Sequence, residues 1–346
     1  VGSEMCIRDR LQQSEIGLAM APLLKVSNVS RDFVKSLDLV AKFLNRLGQD
    51  HREEIVHAVD DVSFEVFKGE VIGIVGESGC GKSTLGKMIA GILPPTRGTV
   101  HFESANTSED SRPDALKTQM IFQDPFSSLN PRKKVIDILT EAPIHHGVIN
   151  ASEKREFALE MLNRVGMDSE ALGRYPHQFS GGQRQRIGIA RALAVSPELL
   201  VCDESIAALD VSIQAQVLNL FVQLKQDYDL TYLFISHDIG VIEHISDRVI
   251  VMYLGRVVET APIETFVENP NHPYTKALLE GVPRLEIGQR DYEPVSGEIP
   301  SPLDPPSGCH FHPRCKFSNE KCRAVRPELI EISPDHYSAC HLNSAE

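Results

Sequence analysis

A glycine-rich loop that could hold phosphate groups lies near residue 76 of this 346-residue chain. An apolar run at 71–75 precedes it and a helical stretch at 85–90 follows, so the order is strand, tight loop, helix. Glycines let several N–H groups and the helix N-terminus point at one anion. The pattern predicts a nucleoside triphosphate site, with an ordinary turn as the alternative. The candidate binding residues of this phosphate loop are Gly76, Ser78, Gly79, Gly81, Lys82, Ser83 and Thr84, of which Lys82 reaches the outer phosphates and Ser83 can bind Mg²⁺.

Two further segments carry groups that could act on a phosphate. The apolar run at 199–202 ends in the carboxylates Asp203 and Glu204, which strand geometry should point to opposite faces and so give different roles. Ser180 and Gly182 open a predicted helix at 187–193, where exposed amides and the helix dipole form another anion site. An acidic strand end in solvent and a flexible, capped turn are the respective alternatives.

Together these motifs resemble those of the ATP-binding cassette ATPases, whose signature sequence the residues at 179–186 match. The resemblance implies that Ser180 and Gly182 grip ATP held by a partner subunit's phosphate loop. It also implies that Asp203 holds Mg²⁺ through water while Glu204 is the general base for the attacking water. That division suits phosphoryl transfer, where positioning and charge neutralisation supply most of the catalysis.

Three more residues match positions of the same family. Gln123 corresponds to the glutamine that touches Mg²⁺ and water at the junction with the helical subdomain, and so can relay the nucleotide state. His237 ends a third apolar strand and corresponds to the histidine that contacts the γ-phosphate, although a lone histidine is usually structural. Phe33 is placed like the aromatic residue that stacks on adenine, with a core phenylalanine as the alternative.

The chain departs from the family pattern directly after Glu204, where Ser205, Ile206 and Ala207 replace the usual proline, small or polar residue and serine. Loss of the proline should loosen the turn behind the base, and Ala207 lacks a hydroxyl that could face the partner's nucleotide. Asp210 remains and can cap the following helix. We expect ATP hydrolysis to survive, and a regulatory nucleotide-binding subunit with weak hydrolysis is the alternative.

The amino-acid composition narrows the classes of protein to which this chain could belong. Apolar residues make up 42% of the chain, enough for one large α/β domain and a smaller appendage. The formal charge of −13 argues against a nucleic-acid partner, which normally requires a basic face. No apolar run approaches the roughly 18–20 residues that cross a bilayer, so a link to a membrane is expected through another protein.

The predicted fold is α/β, a P-loop NTPase cassette core with an antiparallel β subdomain, a helical subdomain and a small Cys-containing C-terminal extension. Residues 1–20 are expected to be a non-native or disordered leader, because they match no family segment and lack the apolar core of a secretory signal. Residues 21–262 form the predicted cassette, with the helical subdomain at about 124–178, and residues 263–346 form the extension. A helical or loop-like insertion is expected at 34–57, a surface loop at 104–114 and a hairpin at 248–258 with Gly255 at its turn.

Two strings, at 123–132 and 269–278, resemble the oligopeptide and dipeptide importer ATPases, in particular their F-type subunit. That resemblance implies a head-to-tail pairing with a second cassette ATPase subunit, a D-type one, at the cytoplasmic face of the membrane. It further implies two permease subunits and, indirectly, a solute-binding protein. Peptide, nickel and sugar cargo are not distinguished by this sequence. A soluble cassette ATPase of DNA repair or translation is the rival, but the double cassettes and long coiled-coil insertions of that class are not seen.

Four of the seven cysteines lie in the extension, at Cys309, Cys315, Cys322 and Cys340. A reducing cytosol disfavours disulfides, and four thiolates can bind either Zn²⁺ or a 4Fe-4S cluster. The absence of a Cys-x2-Cys pair weakens zinc, and the importer resemblance implies an iron–sulfur cluster; unligated thiols are the third possibility. Because residues 294–326 are poor in apolar residues, such a staple would stabilise them. Alternative ligands nearby are His310, His312, His336 and His341.

Overall fold

The computed structural model of the chain describes residues 21–35, 54–103, 114–124, 128–281 and 297–343. The predicted leader, the middle of the predicted insertion and nearly all of the predicted loop at 104–114 lie outside the described residues. The strands within them are β1 (Leu24–Lys35), β2 (Glu54–Val66), β3 (Val71–Val75), β4 (Arg97–Phe102), β5 (Thr118–Ile121), β6 (Leu199–Asp203), β7 (Thr231–Ile235), β8 (Arg248–Tyr253), β9 (Arg256–Pro262), β10 (Ile330–Ser333) and β11 (His336–Ser338).

The α-helices of the same residues are α1 (Lys82–Ile89), α2 (Asp114–Lys117), α3 (Val135–His145), α4 (Lys154–Arg164), α5 (Gly181–Leu193), α6 (Val211–Tyr228), α7 (Ile239–Ile245), α8 (Ile263–Glu268), α9 (Pro273–Glu280) and α10 (Glu320–Ala324). Short 3₁₀ turns lie at Ala151–Glu153, Ser169–Gly173, Pro176–Gln178, His312–Arg314 and His341–Asn343.

A central sheet with the order β10-β11-β9-β8-β3-β7-β6-β5 carries the core of the molecule. Strands β8, β3, β7, β6 and β5 run parallel, and every residue of β3, β6 and β7 is buried. Such uninterrupted apolar strands are typical of a parallel sheet covered on both faces. Because Ile74 and Asp203 both lie opposite Ile235, the carboxyl ends of three strands meet at one edge of the sheet. The phosphate loop and the two carboxylates therefore share that edge.

A second, antiparallel sheet has the order β2-β1-β4. The predicted insertion at 34–57 is wrong at both ends, because β1 continues to Lys35 and β2 already begins at Glu54, with those two residues paired. Backbone pairing between the two long strands extends past the point where the apolar alternation stops being visible in the sequence. The sheet lies against the phosphate loop, as the carbonyl of Ala58 shows by its approach to Gly81.

Helices α3 and α4 lie in the region, at about 124–178, that the sequence predicted to be helical. Met161, Leu162 and Val165 are buried in the main core and Leu159 packs against it from a partly buried position. The predicted hairpin is present as β8 and β9, and Gly255 at its turn has a φ of 80°. None of the helices in the described ranges is both long and apolar enough to span a bilayer.

The C-terminal segment, defined here as residues 263–281 and 297–343, joins the central sheet directly. Its strand β11 pairs with β9, so that Tyr337 lies opposite Thr260. Phe266, Tyr274 and Phe311 are buried in the main core. The sequence predicted that this segment has little apolar core of its own. Its apolar side chains pack instead against the core of the central sheet.

Candidate nucleotide site

The phosphate loop turns directly into helix α1, whose N-cap residue is Gly81 with a φ of 105°. The ammonium nitrogen of Lys82 donates to the carbonyl oxygens of Gly76, at 2.7 Å, and Glu77, at 3.1 Å. Side chains are excluded at two glycines, since a Cβ on Gly76 would lie 2.2 Å from the Met252 carbonyl oxygen and one on Gly81 would lie 2.1 Å from that of Ala58. The close approach explains why these positions require glycine.

A cavity of about 330 Å³ lies over this loop. Predicted residues from three separate motifs line it together, so the structure brings the phosphate loop, the glutamine and the general-base candidate to one place. Three lining residues, Val56, Ala58 and Pro302, were missed by sequence reasoning because none belongs to a motif. The lining residues are Val56, Ala58, Ser78, Gly79, Gly81, Lys82, Ser83, Thr84, Gln123, Glu204 and Pro302.

Ser83 and Asp203 are in direct contact beside the cavity. The Ser83 hydroxyl donates to Asp203 Oδ1 at 2.7 Å. Burial raises the pKa of the Asp203 carboxyl, a shift that the Ser83 hydrogen bond and the nearby Lys87 oppose. A hydroxyl and a carboxylate are the oxygen ligands that Mg²⁺ prefers, so this pair fits the predicted magnesium site.

Glu204 lies where strand β6 has already ended at Asp203, and its φ is 46°. Strand alternation was expected to point the Asp203 and Glu204 side chains to opposite faces of the sheet. That rule does not apply to Glu204, because the residue lies beyond the strand and has a left-handed backbone conformation. Its N–H donates to the Ile235 carbonyl at 2.9 Å. Its carboxylate accepts a hydrogen bond from Gln123 Nε2 at 2.7 Å and lies 3.4 Å from His237 Nδ1. Three predicted residues thus converge at one point of the site.

The segment behind Glu204 forms a closed turn although it lacks the family proline. The Ala207 N–H donates to the Glu204 carbonyl and the Leu209 N–H donates to the Ile206 carbonyl, both at 3.1 Å. The Ile206 side chain is buried in the main core. These contacts hold the turn at the position where the sequence predicted a looser one.

The signature residues lie at the start of helix α5 and away from this cavity. Ser180 is the N-cap, and its hydroxyl oxygen accepts from the Gln183 N–H at 3.4 Å. Gly182 lies close to helix α6, because a Cβ there would meet Ile213 Cγ2 at 2.4 Å. Neither Ser180 nor Gly182 is among the described residues that line the cavity. The two anion sites predicted from sequence are therefore not combined within one chain.

Two other predicted residues are not among the described residues that line the cavity. Asp210 occupies the N-cap position of helix α6, but its side chain makes no capping hydrogen bond there, so its predicted capping role is wrong. Phe33 is half-exposed on β1 opposite Val56, a residue that lines the cavity. The guanidinium carbon of Arg31 lies 4.9 Å from the centre of the Phe33 ring.

The four cysteines of the C-terminal segment lie near one another. Burial raises the pKa of Cys309 to about 11, and the neighbouring thiols Cys322, Cys340 and Cys315 add to this shift. Yet in the described part of the chain no three Cys, His, Asp or Glu side chains are arranged to hold a metal ion. The predicted iron–sulfur or zinc site is therefore not supported.

The fold and the site together define a nucleotide-binding cassette of the P-loop class. One family model, described as ABC transporter, matches residues 59–207, and another, described as oligopeptide/dipeptide transporter, C-terminal region, matches residues 258–322. The oligopeptide transport ATP-binding protein AppF of Bacillus subtilis is 50% identical over 297 residues, which cover 84% of this chain and 90% of that protein. The dipeptide transport ATP-binding protein DppF of Haemophilus influenzae is 49% identical over 290 residues, covering 82% and 89%.

A solved structure of a similar chain, a dimeric post-hydrolysis state of the ATP-binding cassette MJ0796 bound to ADP and Pi, is 27% identical with a TM-score of 0.57. The match covers 69% of this chain and 98% of that one. This protein belongs to the ABC transporter family, among the ATP-binding subunits that carry the oligopeptide/dipeptide transporter C-terminal region. The cassette fold and the ATPase class predicted from the sequence are thereby confirmed.

Proposed function

We propose that this chain binds and hydrolyses ATP as a subunit of a peptide importer and that hydrolysis is carried out at the cavity over the phosphate loop. The observation that carries the proposal is the convergence of Gln123 and His237 on the Glu204 carboxylate, next to the Ser83 and Asp203 pair. An acid–base group and an oxygen-ligand pair beside one phosphate loop supply the parts that phosphoryl transfer requires.

Each of these residues has a separate task. Lys82 and the loop N–H groups bind the triphosphate, and Ser83 and Asp203 would hold Mg²⁺, which neutralises phosphate charge when bound. Glu204 accepts the proton of the attacking water, and Gln123 and His237 orient the water and the γ-phosphate. Phe33, placed next to Val56, stacks on the adenine.

A second cassette subunit completes the site in this proposal. Ser180 and Gly182 open helix α5 outside the cavity of their own chain, so the N-terminus of this helix can face a triphosphate held by another subunit, as in a head-to-tail dimer. Closure of that dimer on ATP and its opening after hydrolysis would drive alternate access of two permeases that receive cargo from a solute-binding protein. The subunit then lies at the cytoplasmic face of the membrane, paired with a D-type ATPase. The cysteines of the C-terminal segment are not assigned a metal or cluster in this proposal.

The test is ATP turnover by the purified transporter assembly. Glu204→Gln should lower the rate about 10²- to 10⁴-fold while ATP remains bound, because it removes only the proton acceptor. Lys82→Ala should weaken nucleotide binding itself. Glu160→Gln, which removes an exposed carboxylate paired with Arg164 on helix α4, is the matched control and should leave turnover unchanged.

The alternative of a regulatory subunit gives a different result in the same assay. The departure at Ala207 favours that alternative, because alanine lacks the serine hydroxyl that could face the nucleotide of the partner subunit. If the partner ATPase carries out the chemistry, removing its base stops turnover while Glu204→Gln does not. Full turnover in the Glu204→Gln assembly would therefore contradict the proposed base.

A further inference from the structure

The C-terminal segment contacts the phosphate loop through a partly buried ion pair. Arg314, in the 3₁₀ turn His312–Arg314, donates from Nη1 to Glu77 Oε2 at 2.6 Å and from Nη2 to Glu77 Oε1 at 3.0 Å. Glu77 is the second residue of the phosphate loop, and the two partners are 237 positions apart in the chain. Two parallel hydrogen bonds between a guanidinium and a carboxylate fix both distance and orientation.

The backbone of Glu77 is held by the same segment. Its N–H donates to the hydroxyl oxygen of Tyr274 at 2.8 Å. The Tyr274 ring is fully buried, with its centre 4.7 Å from that of Tyr253 on β8 and 5.4 Å from that of Phe311. Side chain and backbone of one loop residue are thus both bound by residues beyond the cassette core.

The charge of Glu77 opposes the task of the loop in which it lies. Its carbonyl oxygen accepts a hydrogen bond from the Lys82 ammonium, so the residue is adjacent to the place where the phosphates bind. An unpaired carboxylate there would repel a triphosphate. The Arg314 side chain is 4% exposed and that of Glu77 is 23% exposed, so solvent screens the pair only in part. The hydrogen bond with Glu77 raises the pKa of Arg314, which therefore stays charged.

A second contact of the segment reaches the mouth of the cavity. The carbonyl of Pro302 accepts from the His57 N–H at 3.3 Å, and Pro302 itself lines the cavity. The segment therefore borders the nucleotide site as well as holding the loop from behind.

We propose that Arg314 is a positioning residue for nucleotide binding, which neutralises Glu77 and, with Tyr274, holds the first turn of the phosphate loop in its binding shape. The inference rests on the proposed function of that loop. It assigns the C-terminal segment a direct part in ATP affinity, with no contact to the reacting atoms.

The test measures binding of a fluorescent ATP analogue with Mg²⁺ to the full chain. Arg314→Gln should weaken binding about tenfold, because the Glu77 carboxylate is left unpaired. Arg314→Lys keeps the charge but makes fewer hydrogen bonds, so its affinity for the analogue should lie between those of the wild type and Arg314→Gln. The double variant Glu77→Gln with Arg314→Gln should recover most of the affinity, since no carboxylate remains to repel the phosphates. If Arg314 only stabilised the fold, its substitution would weaken binding of the analogue no more than the loss of an ion pair elsewhere in the chain.

Arg248 offers a matched control, because its guanidinium also makes two hydrogen bonds to one carboxylate, that of Glu70, at 2.8 and 3.2 Å. This pair lies at the start of β3, whereas the phosphate loop follows the end of that strand. Arg248→Gln should lower stability without changing the affinity. Equal weakening in Arg248→Gln and Arg314→Gln, or an Arg314→Gln affinity within about twofold of the wild type, would overturn the inference.

Two further variants keep the result unambiguous. If Lys82→Ala binds the analogue as well as the wild type, the proposed function fails and the inference with it; if Lys82→Ala loses binding but Arg314→Gln does not, only the inference fails. Should Arg314→Gln not fold, Tyr274→Phe removes only the hydroxyl that accepts from Glu77. It should weaken binding about fivefold, the effect of one neutral hydrogen bond, and unchanged binding would overturn the inference.

Discussion

Lowering the pH from 7 to 5 should lower the free energy of unfolding through His272 of the C-terminal segment, whose ring stays neutral in the folded chain over this range. This ring is 1% exposed, and burial lowers its pKa from the ordinary 6.5 to about 3. Its Nδ1 accepts a hydrogen bond from the Tyr274 N–H at 3.1 Å, so the neutral ring caps helix α9. Protonation would remove this acceptor and place a charge in an apolar environment.

The sign follows from which state binds the proton. Below about pH 6.5 the unfolded chain protonates this histidine, whereas the folded chain does so only near pH 3, so the free energy of unfolding falls as the pH falls between these values. At pH 5 the unfolded chain is 1.5 units below its pKa of 6.5, which at about 1.4 kcal/mol per unit makes the loss about 2 kcal/mol. The full contribution of the neutral ring is present above pH 6.5.

The assay is urea unfolding of the wild type and of His272→Asn at both pH values. Asparagine accepts the same capping hydrogen bond but does not titrate, so the drop in free energy of unfolding between pH 7 and 5 should be about 2 kcal/mol smaller in the variant. Other titrating groups are common to both proteins and cancel. The exposed His101→Asn should retain the wild-type dependence. Parallel curves for the wild type and His272→Asn would refute the reasoning.

Three other substitutions test different parts of the structure. Glu259→Gln should lower the free energy of unfolding by about 3 kcal/mol in urea, because the buried carboxylate pairs with His336 at 2.7 Å and that imidazole would lose its charged partner. Gly188→Ala should raise it by about 1 kcal/mol, since a Cβ at this position in helix α5 meets nothing within 4 Å; a loss of stability would contradict this. Ser83→Ala should raise the Mg²⁺ concentration needed for half-maximal binding of the ATP analogue about tenfold in a magnesium titration, because it removes the hydroxyl partner of Asp203; an unchanged requirement would argue against the proposed ligand.

Local spacing made much of the site predictable. The phosphate loop and the strand before Asp203 are each formed by consecutive residues, so each can be recognised from a short stretch of sequence. Parallel pairing then brings the ends of the strands to one edge of the sheet. The orientation of Glu204 was not predictable in this way. It depends on a left-handed backbone and on a bond to the Ile235 carbonyl from another strand, and neither leaves a periodic signal.

The attachment of the C-terminal segment escaped sequence reasoning for a related reason. Low apolar content at 294–326 suggested a segment that needed a metal staple, but the stabilising contacts join residues far apart in the chain. Strand β11 adds to β9, and the buried carboxylate of Glu259 accepts from the N–H groups of Asn271 and His272. Pairing of this kind depends on tertiary register, which composition does not encode.

These attachments also explain how a segment outside the cassette core can affect the phosphate loop. Tyr253 ends strand β8 and packs against both Tyr274 and Phe311, while the neighbouring turn at Gly255 donates its N–H to the Cys80 carbonyl within the loop at 2.9 Å. His310 of the segment contacts the carbonyl of Leu254 in that same turn at 3.1 Å. The loop is therefore held from behind by the hairpin and the segment acting together. Because packed side chains transmit small displacements, a change that loosens either one should reach the nucleotide through the other.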